Sequence, residues 1–164
     1  MAICVAEHQP ADCCFPNTLE AIMALQAVIR FADVAPKAHY YLGNLWYDKR
    51  QYPEAVAEWE KSVEQDDTFP TVLRNLSLAY FNKLNKQQGA VVLLERAFKL
   101  DIRDARILME LDQLYKRLNR SHADRLDLLD KLKDVAFSRD DLYLEYVTLL
   151  NQLGPVSYTH LRAH

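Results

Sequence analysis

The chain has 164 residues, half of them hydrophobic, with only 3 glycines and a net charge of −3 from 20 basic and 23 acidic side chains. That length fits one compact domain or one short helical array, and the bias toward Leu, Ala, Glu and Lys leans helical. The mild negative balance lacks the basic stripe of a nucleic-acid-binding surface, and no apolar run approaches the roughly 20 residues that span a bilayer. The first residues, MAICVAEH, have neither the basic start nor the apolar length of a secretory signal. Three cysteines, Cys4, Cys13 and Cys14, make no disulfide framework and suit a reducing compartment, so a cytoplasmic location is expected.

In chain order, residues 1–16 read as the end of a preceding repeat or a linker, with Ile3, Cys4 and Ala6 in a last helical turn ended by Pro10. Cys4, His8, Cys13 and Cys14 are four potential metal ligands, but structural zinc sites use cysteines two to four residues apart. Buried thiols are the expectation there, and no metal or cofactor is predicted. Asn17 and Glu20 then form a capping-box-like start. Leu19, Ile22, Met23, Leu25, Val28 and Ile29 follow on one broad face, which predicts a helix over 18–32. The pattern continues as helices over about Lys37–Lys49 and Pro53–Gln65, Thr71–Leu84 and Gln88–Leu100, Ala105–Leu118 and His122–Leu132, and finally Asp140–Leu153. Pro53 falls in a first helical turn, where its missing N–H costs nothing, and Phe69–Pro70 breaks the chain between hairpins.

These elements repeat. Leu42, Leu76, Leu111 and Tyr146 stand 34, 35 and 35 residues apart, and Trp46, Tyr80, Tyr115 and Leu150 keep the same intervals. In the second helices Ala21, Ala55 and Ala90 align, as do Leu25, Trp59, Leu94 and Leu129. A helix-turn-helix unit with a period near 34 resembles the tetratricopeptide repeat (TPR). Leu42–Gly43, Trp46, Ala55 and Trp59 match its large and small positions, where a small residue lets two backbones approach and a bulky one fills the space beside it. The predicted fold is therefore all-α, a TPR-type helical hairpin solenoid wound as a right-handed superhelix of antiparallel helix pairs. The array covers 17–154, with repeats at 36–69, 70–104 and 105–139 and a half-repeat at 140–154. Later repeats decay: Gly43 becomes Ser77 and then Asp112, and Ala55 becomes Arg125, so the fourth hairpin is expected to pack with altered geometry.

Both ends read as cut. The run Val156–His164, VSYTHLRAH, resembles one translated frame of a transposase adapter used in preparing sequencing libraries, so 155–164 is expected to be a non-native tail. Without a following helix, Leu142, Tyr146 and Leu149 are expected to be partly exposed, inviting self-association.

The strings CCFPNTLEAI, YYLGNLWYDKRQY and DDLYLEYVTLLNQLG resemble a group of bacterial proteins in which a domain of unknown function, the family numbered five-one-zero-seven, precedes a long TPR array. The resemblance covers nearly all of Phe15–Gly154. It implies an upstream mutarotase-like, carbohydrate-related domain for the parent protein, and with it the alternative that this array is a structural spacer or self-association module.

Chemistry is scarce in the sequence. There is no phosphate loop, HExxH, nucleophile elbow or CxxC pair. Asp66–Asp67 and Asp140–Asp141 sit at turns beside helix starts, where capping and the helix dipole favour carboxylates. His39 is expected to be packed and His122 to belong to a solvated turn. No enzymatic activity is predicted; binding is. The TPR resemblance implies that positions two, five, nine and twelve of each first helix face a concave groove. Those positions are Lys37, Tyr40, Asn44 and Tyr47, then Thr71, Arg74, Leu78 and Phe81, then Arg106, Met109, Gln113 and Lys116, with Asn75 beside the second set. This mildly basic surface with aromatic and apolar patches predicts an extended or helical peptide partner carrying acidic residues. The family's two-carboxylate clamp for chaperone C-termini matches only at Asn44 and Asn75. Tyr40 stands where its first Lys belongs and Glu110 where its Arg belongs, with Arg106 a partial substitute, so chaperone-tail binding is not expected.

Overall fold

The computed structural model describes residues 18–161, and among them every regular element is an α-helix. The nine described helices are α1 Leu19–Phe31, α2 Pro36–Asp48, α3 Tyr52–Gln65, α4 Pro70–Asn82, α5 Gln87–Leu100, α6 Ala105–Arg117, α7 His122–Lys131, α8 Lys133–Ala136 and α9 Asp140–Leu161. The chain forms two compact units, the first ending at Leu100 and the second starting at Asp101. The Cys4, His8, Cys13 and Cys14 group, Asn17 and the last residues of the Val156–His164 run lie outside the described residues.

Local chemistry accounts for the helix ends. Proline occupies the first or second position of α2, α3 and α4, where φ is already helical and no N–H is missed. Asp104 caps α6 by accepting from the N–H groups of Arg106 (2.8 Å) and Ile107 (3.0 Å). Ser121 caps α7 through the N–H of Asp124. The three turns inside hairpins each place a residue at positive φ: Arg50, Asn85 and Asn119. Asparagine tolerates this region, whereas for Arg50 it costs on the order of 1 kcal/mol. The α1 cap is Thr18, accepting from Ala21 N–H at 3.2 Å, one residue later than the sequence reading placed it.

In the first unit, α2 and α3 run antiparallel and are stitched along their length. Ser62 Oγ donates to Pro36 O at 2.7 Å, His39 Nδ1 meets Glu58 Oε2 at 2.6 Å, and the Trp59 indole reaches back to α2. Gly43 is the closest approach: a β-carbon there would lie 2.4 Å from Trp59 Cδ1 and 3.0 Å from the Ala55 carbonyl oxygen. In the α4–α5 hairpin the equivalent contact is a hydrogen bond, Ser77 Oγ to Ala90 O at 2.7 Å. Tyr80 joins α4 to α3 through Glu60 at 2.5 Å. The repeating column Leu42, Leu76, Leu111 and Tyr146 is buried throughout, as are Leu25, Trp59, Leu94 and Leu129.

Two expectations about apolar faces are corrected. On α1, Leu25 and Val28 are buried and Ile22 and Ile29 pack against the core, but Leu19 and Met23 are exposed. Met23 stands two residues before Leu25, which at 3.6 residues per turn puts it on the far side of the helix. At the other end, Leu142, Tyr146 and Leu149 are buried, because α9 lies against α7 and α8 and covers them itself. The outward side of α9 carries Tyr143 and Leu144 instead. Gly154 leaves helical geometry at φ 69° and ψ 165°, a conformation suited to glycine. The short helix α8 was not anticipated.

The hairpin with altered geometry is held by charge. The backbones of α6 and α7 approach each other far less than those of α2 and α3, and the space is filled by Arg125 and Asp112, 1% and 2% exposed. Arg125 Nε and Nη2 donate to the two Asp112 carboxylate oxygens at 3.0 and 2.7 Å, and Nη2 also reaches Glu145 Oε1 on α9 at 2.6 Å. Lys116 Nζ holds the same glutamate at 2.9 Å. Burial raises the Glu145 carboxyl, but hydrogen bonds from Lys116 and Arg125 outweigh it and hold the group below the ordinary value of 4.5. A depressed folded value means that Glu145 stabilises the second unit above pH 4.5 and that this contribution is lost as pH falls through the lower folded value. Asp112 has the opposite sign, since burial raises it beyond what the guanidinium restores. Glu145→Gln isolates the first effect. Acid unfolding followed by helix signal should show a flatter limb below pH 4.5 in this variant than in the wild type.

Candidate functional site

The face of α2 and α4 in the first unit holds a cavity of about 200 Å³ lined by Asn44, Tyr47, Trp59, Asn75 and Leu78. Four of these five belong to the set read from the sequence. Asn44 and Tyr47 come from α2, Asn75 and Leu78 from α4, and Trp59 from α3 forms a wall. The reason is helical register: Asn44 and Tyr47 are three residues apart on one helix, as are Asn75 and Leu78 on the other, so each pair shares a face.

The cavity is polar on one side and aromatic on the other. Trp59 Nε1 donates to Tyr40 O at 3.2 Å and to Asn44 Oδ1 at 3.1 Å, and Asn75 Nδ2 donates to the same Asn44 oxygen at 3.2 Å. Arg74 Nη1 donates to Asn75 Oδ1 at 3.2 Å. Asn44 Oδ1 is thereby saturated, while its Nδ2 hydrogens have no partner among the described residues. A neutral amide carries two donors as well as its acceptor, so this side chain can receive a carbonyl or carboxylate. Tyr47 packs on Tyr52 and Trp59 with ring centroids 5.1 and 5.4 Å apart.

Tyr40 belongs to the core and not to the groove. It is 4% exposed and packs on Tyr41 and Phe69, centroids 5.2 and 4.9 Å away. Phe69, in the turn before α4, folds over it. Lys37, Thr71, Arg74 and Phe81 are half-buried. In the second unit Arg106 and Gln113 are exposed and Met109 is half-buried. Arg106 pairs with Glu110 on its own helix at 3.5 Å, and Lys116 is engaged by Glu145.

The wall residue Trp59 was read as packing alone. It had a signal: its column otherwise holds leucines, and only a tryptophan brings an N–H that needs an acceptor. His39, buried as expected, anchors Glu58, which also takes Lys61 at 2.8 Å. Burial raises the Glu58 carboxyl, and the hydrogen bonds from Lys61 and His39 bring it below its ordinary value. Asp140 and Asp141 stand in the first turn of α9, where Asp141 accepts from the Leu142 N–H at 2.9 Å, whereas Asp66 and Asp67 are engaged within and across their turn. Asp66 accepts from the Thr68 N–H and hydroxyl, Asp67 pairs with Arg96, and Asp141 takes the Arg139 fork at 2.7 and 3.0 Å. Among the described residues no three His, Cys, Asp or Glu side chains are grouped to hold a metal, and no helix is long and apolar enough to cross a membrane.

Residues 36–69 match the family model of the tetratricopeptide repeat. The fold is similar to that of MamA, at 19% identity over 85% of this chain and 81% of that one with a TM-score of 0.67. It is also similar to YrrB, described as a TPR protein with an unusual peptide-binding site, at 17% identity over 88% and 70% with a TM-score of 0.65. The TPR domain of Arabidopsis OM64 aligns at 15% identity over 72% and 96% with a TM-score of 0.59. At such identities the likeness is one of fold: the helical hairpins are of TPR type.

Proposed function

We propose that this chain is a protein-interaction scaffold whose first unit binds an extended peptide across α2 and α4. The observation that carries this reading is the cavity at Asn44, Tyr47, Trp59, Asn75 and Leu78. It offers amide donors to a peptide backbone or carboxylate and an apolar recess for one side chain. Arg74 and Lys37 lie on the same helices and favour an acidic residue in the ligand. The equivalent positions in the second unit are Arg106, Met109 and Gln113. A peptide bound in this way needs no catalytic group, and a cytoplasmic setting suits a sequence whose three cysteines make no disulfide framework. The YrrB comparison supports peptide binding as a use to which the fold lends itself.

Selection from a random peptide library tests the reading. Enriched sequences should pair an apolar residue with a nearby carboxylate. Leu78→Asp and Arg74→Glu should each weaken the best peptide at least about tenfold, or 1.4 kcal/mol, with helical content unchanged. No enrichment, or binding indifferent to both substitutions, removes the groove as the site.

A further inference from the structure

The outer side of α1 carries an apolar row that hairpin packing does not use. Leu19, Met23, Ala27 and Phe31 follow at intervals of four and are all exposed, Met23 at 64% and Phe31 at 75%. Met23, Ala27 and Phe31, with Gln26 and Arg30, surround a shallow hollow of about 390 Å³. Isolated exposed hydrophobes are ordinary; a contiguous row is a contact surface.

Repeat register shows that this row is not the side a neighbouring helix of the hairpin would cover. With Ala21 aligned to Ala55, Leu25 and Val28 correspond to Trp59 and Ser62, the α3 residues that pack on α2. Leu19, Met23, Ala27 and Phe31 correspond to Pro53, Ala57, Lys61 and Gln65, all exposed on α3. The same side that α3 gives to solvent is apolar on α1.

Two charges flank the row in a way that selects its occupant. Glu20 lies near its start and Arg30 near its end, and Arg30 has no ion pair among the described residues. A second α1 laid antiparallel across the first, about a two-fold axis level with residue 25 but on the exposed side of the helix, opposite the buried Leu25, sets Leu19 opposite Phe31 and Met23 opposite Ala27. In the same register Glu20 of each copy faces Arg30 of the other. A pattern that complements itself in both shape and charge under a two-fold axis is the mark of an isologous contact. The small residue Ala27 lets the backbones approach, and rows spaced by four interdigitate in the commonest helix-packing class. We infer that this face of α1 joins two copies of the chain. The inference is independent of the peptide face on α2 and α4.

A contact made by one helix from each copy is smaller than the standard interface of about 1,600 Å², so the dimer should depend on concentration. Sedimentation equilibrium of the full chain, from low micromolar to near millimolar, should show a monomer–dimer equilibrium. Met23→Glu should weaken it at least tenfold. Glu20→Arg alone should weaken it too, and Glu20→Arg with Arg30→Glu should restore it. The double variant places both charges unfavourably for the α1 dipole, so restoration reports the contact and not helix stability. A chain that stays monomeric throughout overturns the inference. So does a dimer indifferent to Met23→Glu, or a double charge swap that fails to restore association.

Discussion

Arg125→Ala should destabilise the second unit by about 3–5 kcal/mol, the range for removing one partner of a buried ion pair. The substitution leaves Asp112 almost fully buried, with its two donors gone and its charge uncompensated. It also opens the volume that a long side chain fills between α6 and α7, whose backbones do not close on each other. Glu145 suffers less, since it keeps Lys116 and partial exposure. Hydrogen exchange resolved by helix is the suitable measurement, because the chain has two units and a single unfolding curve need not report one transition. Protection should fall in α6, α7 and α9 and persist in α2 to α5. The double substitution Asp112→Ser with Arg125→Ala copies the Ser77 and Ala90 pair of the preceding hairpin. It should recover most of the loss, because no buried charge is then left alone. If the double variant is no more stable than Arg125→Ala, the cost lies in lost packing and not in the orphaned carboxylate.

Gly43→Ala should cost the first unit about 1–3 kcal/mol, the ordinary range for overpacking a core. Helix propensity alone argues the reverse, since alanine is favoured over glycine by about 1 kcal/mol within a helix. Geometry decides against it. The added methyl would meet the Trp59 indole at 2.4 and 2.5 Å and the Ala55 carbonyl oxygen at 3.0 Å. Neither neighbour can give way cheaply: one is helix backbone, and the other is pinned by hydrogen bonds to Tyr40 O and Asn44 Oδ1. Displacing the indole also disturbs the wall of the cavity, so the proposed peptide binding should weaken with stability. Thermal unfolding with tryptophan fluorescence checks the first effect. On a Trp59→Leu background the same change should add little, because contacting residues are not additive. An undiminished melting temperature in the single variant would show that the hairpin opens without cost.

The fold was legible to a fine grain because its signals are local and repeated. Pro36, Pro53 and Pro70 mark helix starts by their own covalent geometry, and the columns through Leu42 and Trp59 mark buried faces by period alone. The candidate site was legible in part. Asn44, Tyr47, Asn75 and Leu78 line one cavity, but Tyr40, at an equally periodic position, is buried against Phe69. Spacing assigns residues to a face of their own helix and carries no information about which neighbour or turn lies over that face.

Asp112 and Arg125 show the same limit. Read down its column, each is a departure from a small residue and counts as decay of the repeat. Read across the hairpin they are one feature, a charged pair standing where Gly43 and Ala55 make a close backbone contact. The side of α9 expected to be bare is covered for a related reason: a helix buries its apolar stripe on whatever surface is within reach, and α7 and α8 are within reach of α9. The sequence by itself determined the long helices, their period and the all-α hairpin repeat, because dihedral preference and hydrophobic spacing act within a few residues. Only the tertiary structure decided which polar residues became partners, which groove positions were sealed and that the row on α1 stayed open. Those outcomes depend on distances between side chains that the chain brings together only when it folds.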